Sequence, residues 1–356
     1  MPQIKIKDKE ITSYGNQPYV IAELGCNHCG DFGLCIQMIR KAKDCGADAV
    51  KLQKRNNREL FTRAALDAPY DSPNSYGKTY GAHRKALDWF GHSEFVKIRQ
   101  LCNELDIAFI CTPFTISDAD FLNSADIRLD AIKIASCDLK NTPLIEHVAR
   151  FGLPMLISTG GGEKEDIFRA MDAARPFDQN LAVLHCVSTY PNTDEHLNLA
   201  SILMLNEAAP DAVVGFSSHH PSVLPHYQAY NLGARIFEVH FTLNRGFKGT
   251  DHGFSMEPSG LAKLCEDLKR ISVMEGNVDR VLELEELSGF PIKMGKSIYA
   301  SRDISAGESI TGNNICLKAP ATGLPPYLMK KIIGMKAMAK INEETPITRG
   351  SLIGEI

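Results

Sequence analysis

Short apolar runs rich in β-branched residues recur eight times along the first three quarters of the chain. They occupy residues 19–23, 49–53, 108–111, 131–134, 155–158, 182–186, 212–216 and 235–240. Runs of this length and composition are typical of strands buried on both faces, as in a parallel sheet. The segments between them show helical spacing; in 33–45, for example, Leu34, Met38, Ala42 and Cys45 fall on one face.

The alternation of strands and helices predicts repeated βαβ units. Further helices are predicted at 95–105, 141–150, 164–174, 197–208, 222–232 and 259–271. Eight such units in about 250 residues fit a (β/α)8 TIM barrel in number and size, and we place it at residues 15–272. The rival is an open doubly wound sheet, whose glycine-rich phosphate turn (Gly-x-Gly-x-x-Gly) is not found early in this chain.

The pattern changes after the last predicted barrel helix. Residues 273–293 are predicted to be a linker, and 275–287 within it form a charged stretch with helical spacing. From residue 294 to 356, short apolar runs such as 297–300 alternate with Gly- and Pro-rich turns such as 323–326. This pattern predicts a separate small β-rich domain.

Composition narrows the classes of protein. The chain has 356 residues, 44% of them hydrophobic and 23% charged, which is typical of an ordered globular protein. Its 39 basic and 43 acidic residues give a net charge of −4, which argues against a nucleic-acid partner. No run approaches the roughly 20 apolar residues of a membrane span, and the N-terminal segment lacks a signal-peptide core. We therefore expect a cytoplasmic protein without a membrane partner.

The ten cysteines are scattered mainly through apolar segments, which is typical of reduced thiols in a cytosolic protein. Cys26 and Cys29 resemble half of a zinc site. No second Cys-x-x-Cys pair accompanies them, so a structural zinc is not favoured.

Polar side chains gather where the predicted strands end, which is the active-site face of a TIM barrel. One group combines lysines with hydroxyls on neighbouring strands: Lys51, Thr112, Lys133, Ser136, Ser158 and Ser217. A single serine at such a position is most often only a helix cap. Their recurrence beside lysines instead favours a cradle for phosphate or carboxylate.

A second group contains imidazoles. His219 and His240 end adjacent strands, with Glu23 and Asp251 as companions, and the set suits a divalent metal in an open site. By spacing, His220 and His252 are rival ligands. These residues predict a metal-dependent barrel enzyme that acts on an anionic small molecule. They leave aldolase, phosphatase and phosphoenolpyruvate chemistry open.

The same motifs, in order, resemble the sialic acid synthase family, which comprises N-acetylneuraminate synthases and their legionaminic and pseudaminic acid relatives. The matching segments are 22–28, 51–54, 112–114, 133–136, 158–160, 190–191, 215–219, 238–243 and 249–252. Residues 295–308 resemble the start of the SAF domain, similar to type III antifreeze protein, that ends these synthases. Segment 76–81 resembles the branch that includes the vertebrate enzyme.

The resemblance implies condensation of phosphoenolpyruvate with an open-chain sugar of the N-acetylmannosamine type, with release of phosphate. Lys51, Gln53, Thr112, Lys133, Ser136, Ser158, Ser188 and Ser217 would hold phosphoenolpyruvate. His219 and His240 would bind Mn²⁺ or Mg²⁺, His240 thereby taking part in catalysis. Glu23, Tyr190 and Asp251 would contact the sugar, with Asn74 as a further candidate, and Glu23 would be the general base. A domain-swapped homodimer is also implied.

One position departs from the resemblance. Some family members place an arginine of the small domain over the sugar's acyl group in the partner subunit, and Ala319 stands at that position here. The sugar therefore stays open among N-acetylmannosamine, its 6-phosphate, mannose and diacetamido sugars. Two other functions are weighed: an aldolase that uses free pyruvate, and a catalytically silent barrel that binds a sugar or phosphate.

Overall fold

The computed structural model describes residues 2–13, 15, 17–177, 180–276 and 287–356. It divides into two compact units, Met1–Glu275 and Gly276–Ile356. Within the described ranges, no helix is long and apolar enough to cross a membrane.

The first unit is built on a closed barrel of eight parallel strands, preceded by a β-hairpin. The hairpin strands are β1 (Gln3–Ile6) and β2 (Lys9–Thr12). The barrel strands are β3 (Tyr19–Glu23), β4 (Ala49–Lys54), β5 (Ala108–Pro113), β6 (Ala131–Ile134), β7 (Met155–Ser158), β8 (Leu181–Cys186), β9 (Val213–Ser218) and β10 (Ile236–His240). The last strand pairs with the first, so that His240 stands opposite Glu23. The predicted TIM barrel is confirmed.

Helices connect consecutive strands of the barrel. They are α1 (Phe32–Asp44), α2 (Asn57–Leu60), α3 (Arg63–Asp67), α4 (Tyr80–Leu87), α5 (His92–Glu104), α6 (Ile116–Leu122), α7 (Thr142–Ala149), α8 (Lys164–Ala174), α9 (Ser201–Ala208), α10 (Leu224–Asn231) and α11 (Pro258–Glu275). Single 3₁₀ turns lie at Ser136–Asp138, Asp194–His196 and His252–Phe254. The sequence analysis did not predict α2, α3, α4 and α6. Helices α2 and α3, with four and five residues, are too short to show a helical period.

The barrel interior has two layers, because every second residue of a strand points inward. The lower layer is apolar and includes Ile21, Ile110, Leu156, Leu184 and Ile236, all fully or nearly fully buried. At the next inward position of each strand, two residues closer to its C-terminal end, the side chains are mostly polar. They are Glu23, Lys51, Thr112, Lys133, Ser158, Ser217 and Glu238. The strand register thus separates a packed base from a polar top within the same eight strands.

The N-terminal hairpin belongs to the lower layer. Ile4, Ile6 and Ile11 share one buried cluster with the first residues of the barrel strands, such as Tyr19 and Ala49. The hairpin therefore closes the N-terminal end of the barrel, before the residue 15 start that the sequence predicted. The alternation of charged and apolar residues there is the pattern of an amphipathic hairpin.

The second unit is small and rich in short strands. Strand β11 (Ser297–Ala300) pairs with β12 (Ile315–Lys318), and β13 (Lys336–Ala337) pairs with β14 (Leu352–Ile353), both antiparallel. Short helical turns lie at Phe290–Met294, Pro326–Leu328, Met329–Ile332 and Arg349–Ser351. Its own core contains Ile298, Ile304, Ile310, Ile332 and Ile347.

The predicted linker is only partly described. Helix α11 continues to Glu275, four residues beyond its predicted end, and thus enters the predicted linker. Most of the charged stretch 275–287 lies outside the described residues. The linker bounds of 273–293 therefore stay a prediction.

Candidate active site

A cavity of about 860 Å³ opens at the C-terminal ends of the barrel strands. It brings together thirteen residues that the sequence singled out: Glu23, Lys51, Gln53, Thr112, Lys133, Ser136, Ser158, Ser188, Tyr190, Ser217, His219, His240 and Asp251. They come from strands and loops far apart in the chain. The closed sheet is what gathers them at one end.

Two buried lysines lie at the floor of the cavity. Lys51 Nζ is 2.9 Å from Glu23 Oε2 and donates to Thr112 Oγ1 at 3.2 Å. Lys133 Nζ donates to Ser158 Oγ at 2.6 Å. Both side chains are almost wholly buried, and a charge at such a place is costly unless a neighbouring carboxylate balances it.

Glu238 links the two lysines and was not assigned to the site from the sequence. Its carboxylate oxygens lie 3.5 Å from Lys51 Nζ and 3.5 Å from Lys133 Nζ, and Ser217 Oγ donates to it at 3.3 Å. A signal for it existed: Glu238 precedes His240 by two residues, so both side chains face the barrel interior.

Burial and charge act against each other at this floor. Burial lowers the pKa of Lys133, and the nearby Glu238 carboxylate offsets this only in part. Burial would also lower the pKa of Lys51, but Glu23 and Glu238 together raise it above its usual value. Burial would raise the pKa of Glu238, yet Lys133 and Lys51 hold it below its usual range. Lysine and glutamate side chains thus face each other in buried ion pairs at the floor, and an anion could take the place of a glutamate in those pairs.

Serine hydroxyls and a glycine turn form one wall. Ser136 begins the 3₁₀ turn after β6, and its Oγ accepts a hydrogen bond from Gly160 N at 3.0 Å. A Cβ on Gly160 would lie 2.2 Å from Ser188 Oγ and 2.8 Å from Ser136 Oγ. Only glycine lets the turn after β7 approach both hydroxyls so closely.

The opposite wall carries the groups assigned to a sugar, together with Gln53, which was assigned to phosphoenolpyruvate. Gln53 Nε2 donates to Glu23 Oε1 at 2.6 Å, which fixes the orientation of that carboxylate. The Tyr190 ring lies 4.0 Å from the His219 ring and is 59% exposed, so it stands at the cavity mouth. Asp251 Oδ2 is 3.8 Å from His240 Nδ1.

The imidazoles of His219 and His240 lie side by side, with ring centroids 5.2 Å apart. His219 Nδ1 lies 2.9 Å from the Val187 carbonyl, which can only accept, so Nδ1 carries the proton. Burial, followed by the neighbouring His240, lowers the pKa of His219 to about 4, and its Nε2 therefore keeps a free lone pair at neutral pH. His240 Nδ1 is buried and has no hydrogen-bond partner among the described residues.

The rival histidines are engaged elsewhere. His220 Nδ1 accepts from Ser222 N at 3.1 Å, and its Nε2 lies 3.1 Å from Asp194. His252 contacts Thr242 Oγ1 through Nδ1 and Cys29 Sγ through Nε2. Within the described ranges, no three His, Cys, Asp or Glu residues are grouped to hold a metal by themselves.

Asn74 does not line the cavity. It lies in the loop before α4, and its Oδ1 accepts from Gly249 N at 3.2 Å, which ties that loop to the one carrying Asp251. Its amide oxygen is thus occupied by the backbone. A direct contact between Asn74 and a sugar stays a prediction that this geometry does not support.

The cavity also contains residues that the sequence analysis did not assign to it. Arg55 and Arg84 line it, together with Cys26, Cys137 and Cys186. Arg55 follows Lys51 and Gln53 at the same two-residue interval, which is a signal that the sequence analysis could have used. Arg84 lies on the unpredicted helix α4. All ten cysteines are free thiols.

A closed parallel barrel with charged side chains collected at the C-terminal ends of its strands defines a TIM-barrel enzyme. Residues 38–280 match the NeuB family and residues 295–352 match the SAF domain. The chain belongs to the NeuB family. The predicted membership of the sialic acid synthase family, the enzyme class and the C-terminal SAF domain are confirmed.

Named relatives cover nearly the whole chain. The N-acetylneuraminate-9-phosphate synthase of Mus musculus is 33% identical over 340 residues, covering 95% of this chain and 94% of the mouse protein. The N,N'-diacetyllegionaminic acid synthase of Campylobacter jejuni is 31% identical, covering 91% and 97%. The crystal structure of the sialic acid synthetase from Leptospira borgpetersenii, in complex with citrate, superposes with a TM-score of 0.69 at 30% identity, covering 81% and 96%.

Proposed function

We propose that this enzyme condenses phosphoenolpyruvate with an open-chain sugar of the N-acetylmannosamine type. The product is a nine-carbon 2-keto-3-deoxy acid, and phosphate is released. One observation carries the proposal: a single cavity holds two buried lysines beneath a wall of hydroxyls, opposite a pair of imidazoles beside a carboxylate.

The lysine side suits phosphoenolpyruvate. Lys51 and Lys133 would supply positive charge to a multiply charged anion. Thr112 and Ser158 accept from these two lysines, and Ser217 donates to Glu238 beside them. Ser136, Ser188 and the amide of Gly160 provide a second cluster of polar atoms, of the kind that holds phosphate oxygens. Gln53 would also contact phosphoenolpyruvate, and its amide donates to Glu23 Oε1.

The carboxylate side suits the sugar. Glu23 is held by Gln53 and Lys51, so its orientation is fixed before substrate arrives. As a general base, Glu23 would take a proton from water or a sugar hydroxyl. Tyr190 and Asp251 stand at the mouth, where hydroxyl and acyl groups would meet them.

A divalent metal, Mn²⁺ or Mg²⁺, fits the two imidazoles. His219 offers the lone pair on Nε2, fixed by the bond from Nδ1 to Val187, and His240 has a buried Nδ1 without a hydrogen-bond partner among the described residues. A bound ion would act as a Lewis acid on the sugar aldehyde. Asp251 Oδ2 lies 3.8 Å from that same Nδ1 of His240, so its carboxylate would stand beside the ion.

The relatives are named for different products, so several sugars stay open as the substrate of this enzyme. They include a 9-phosphate synthase, a diacetyllegionaminic acid synthase and a pseudaminic acid synthase. Ala319 cannot supply the charge of an arginine, and the neighbouring Lys318 is paired with Glu344 inside the small unit. A domain-swapped homodimer, with the small unit completing the partner's site, is part of this proposal.

Phosphate release tests the proposal directly. The purified protein is mixed with phosphoenolpyruvate, N-acetylmannosamine and Mn²⁺, with and without EDTA, and then with a panel of related sugars. We expect phosphate only when a sugar and the metal are both present. Equal condensation with free pyruvate would make the enzyme an aldolase. Binding of substrates without any product would support a silent barrel instead.

A further inference from the structure

The loop between strand β3 and helix α1 carries two cysteines that the proposed condensation does not use. The backbone N–H of Cys29 donates to the carbonyl of Cys26 at 2.9 Å. A four-residue turn closed in this way brings its first and last Cα atoms within about 7 Å of each other. A disulfide joins Cα atoms that are about 4.4–6.8 Å apart, so the turn holds this Cys-x-x-Cys pair close to bonding range.

Cys29 has a base beside its thiol. Its Sγ lies 3.2 Å from His252 Nε2. The Thr242 hydroxyl donates to the carbonyl of Asn244 at 3.1 Å, so it accepts from His252 Nδ1 at 2.7 Å, and Nε2 is the nitrogen with a free lone pair. Burial raises the pKa of the Cys29 thiol, so its proton must leave as the sulfur reacts. A thiol, a base and a hydroxyl that orients the base form an arrangement that activates cysteine.

The two cysteines line different pockets. Cys29 is partly exposed and lines a pocket of about 440 Å³, together with Tyr76, Phe247 and Lys248. Cys26 instead lines the active-site cavity. A small molecule that enters the first pocket therefore meets Cys29, while the neighbouring thiol of the same turn stands in the active site.

Cys26 stands beside two guanidinium groups. Its Sγ lies 3.7 Å from Arg55 Nη1 and 3.5 Å from Arg84 Nη2. Burial raises the pKa of the Cys26 thiol, Arg84 and Arg55 lower it, and Asp88 and Asp251 oppose the arginines. The guanidinium groups thus partly offset the cost of a buried thiolate, which is the form of sulfur that attacks a disulfide.

A bond between the two sulfurs would disturb the active site. The thiols share no hydrogen-bond partner among the described residues, so at least one sulfur must leave its contacts to form an S–S bond of about 2 Å. Cys26 would leave Gln53 Oε1, at 3.9 Å, and the amide of Gln53 orients Glu23. Cys29 would leave His252, which directly follows Asp251 of the cavity wall. Either movement reaches the cavity.

We propose that Cys26 and Cys29 form a reversible disulfide by exchange with a low-molecular-weight disulfide, and that this bond lowers the activity of the enzyme. The effect on activity rests on the proposed condensation, whereas formation of the bond does not. Disulfides in cytosolic proteins are usually transient and catalytic or redox-sensing, and the Cys-x-x-Cys spacing beside a βαβ unit is typical of redox pairs.

The exchange balances in two steps. The Cys29 thiol passes its proton to His252 Nε2, and its sulfur attacks the small disulfide, whose S–S bond breaks. One half of that molecule leaves as a thiolate and takes up a proton. Cys26 then loses its proton to solvent and attacks the Cys29 sulfur, so that the second half leaves as a thiolate and is protonated in turn. Two protein thiols are oxidised, and one small disulfide is reduced to two thiols.

The test treats the reduced, full-length enzyme with glutathione disulfide and then with dithiothreitol. Mass spectrometry should find the peptide that contains Cys26 and Cys29 lighter by two hydrogens and resistant to alkylation. Phosphate release in the condensation assay should fall by about tenfold, the value of one disturbed hydrogen bond to a charged group. Dithiothreitol should restore both the thiols and the activity.

Three variants assign the effect to this pair. Cys29→Ser keeps a hydroxyl beside His252 but cannot form the bond, so its activity should resist glutathione disulfide. Cys26→Ser lacks the second thiol, so a glutathione adduct should accumulate on Cys29. Cys137→Ser is the matched control, because this exposed thiol also lines the cavity, and it should be inhibited and restored like the unaltered enzyme.

A fourth variant tests the base. His252→Gln should form the Cys26–Cys29 bond about tenfold more slowly, or slower still, at neutral pH. The difference from the unaltered enzyme should shrink as the pH is raised, because the thiol then ionises without help. A rate that is slower by the same factor at every pH would remove His252 from the exchange.

The outcomes separate this inference from the function beneath it. Equal inhibition of Cys29→Ser and the unaltered enzyme, or loss of inhibition in Cys137→Ser, would overturn it by assigning the effect to another thiol. Glutathione adducts without a bond between Cys26 and Cys29 would overturn it as well, and so would a bond that leaves activity unchanged. If the reduced enzyme releases no phosphate with any sugar, the proposed function is refuted, and the mass measurement alone then decides whether the disulfide forms.

Discussion

The lower and upper layers of the barrel interior are made by the same eight strands and have opposite chemistry. Below, Leu156, Leu184 and Ile236 fill the space against the isoleucines of the hairpin. Above, Lys51, Lys133 and Glu238 occupy the next inward positions and are equally buried. Apolar packing stabilises the fold, whereas burial of charged groups opposes it. The charged residues of the upper layer are thus explained by function, and the apolar residues of the lower layer by stability.

The largest loss of activity is expected from Lys133→Ala in the upper layer. Removing this ammonium takes away one of two charges that would hold phosphoenolpyruvate, so kcat/KM for that substrate should fall by about 100- to 1000-fold. Steady-state kinetics on protein shown to be folded by circular dichroism would measure it. Lys263→Ala, at a 63% exposed lysine, is the matched control and should be neutral. Full activity in Lys133→Ala would remove the lysine from the substrate site.

The imidazole pair offers the next largest effect. His240→Ala should weaken Mn²⁺ binding by about 100-fold, because one of two nitrogen ligands is lost. Calorimetric titration of the metal, without substrates, measures this independently of turnover.

The neighbouring His220 is the natural control for that experiment. Both of its ring nitrogens are engaged by Ser222 and Asp194, so His220→Ala should bind the metal normally. A loss of affinity in His220→Ala equal to that in His240→Ala would contradict the assignment of His219 and His240 as the ligand pair.

The lower layer should respond in the opposite way. Leu156→Ala leaves a cavity in the packed base and should reduce the free energy of unfolding by about 2–5 kcal/mol. Activity per folded molecule should change little. Chemical denaturation would measure the loss, with the 49% exposed Leu203→Ala as a control expected to cost about 0.5 kcal/mol or less. A collapse of activity without loss of stability would mean that the two layers are not separable.

The sequence predicted the strands of the barrel more completely than it predicted the residues of the active site. The strands were found within one or two residues of their observed bounds, because apolar runs reflect burial that each strand experiences by itself. Lys133 was found because it is a charged residue inside an apolar run, and His240 was found because it ends one. Glu238 and Arg55 were not assigned to the site, because their ion pairs join residues distant in the chain. Arg84 was not assigned because it lies on helix α4, which the sequence did not predict. The hairpin was missed because its isoleucines are buried only by packing against the lower layer of the barrel, which is formed by residues distant in the chain.

The smallest effect is expected from a substitution that changes the shape of the upper layer without changing its charge. Gly160→Ala adds no charge, but its Cβ would lie 2.2 Å from Ser188 Oγ and 2.8 Å from Ser136 Oγ, so those hydroxyls must move. The KM for phosphoenolpyruvate should rise by about tenfold, the value of one displaced hydrogen bond to a charged group. Gly312→Ala, where a Cβ meets open space, should leave the KM unchanged.

A second substitution tests the cause of that effect. In Gly160→Ala combined with Ser188→Ala, the closest contact disappears, whereas the contact with Ser136 remains. If displacement of hydroxyls is responsible, the double variant should lose less than the two single changes multiplied together. Independent, multiplying effects would show that the glycine acts through the backbone of its turn. The upper layer would then depend on loop conformation as well as on the side chains that the strands direct inward.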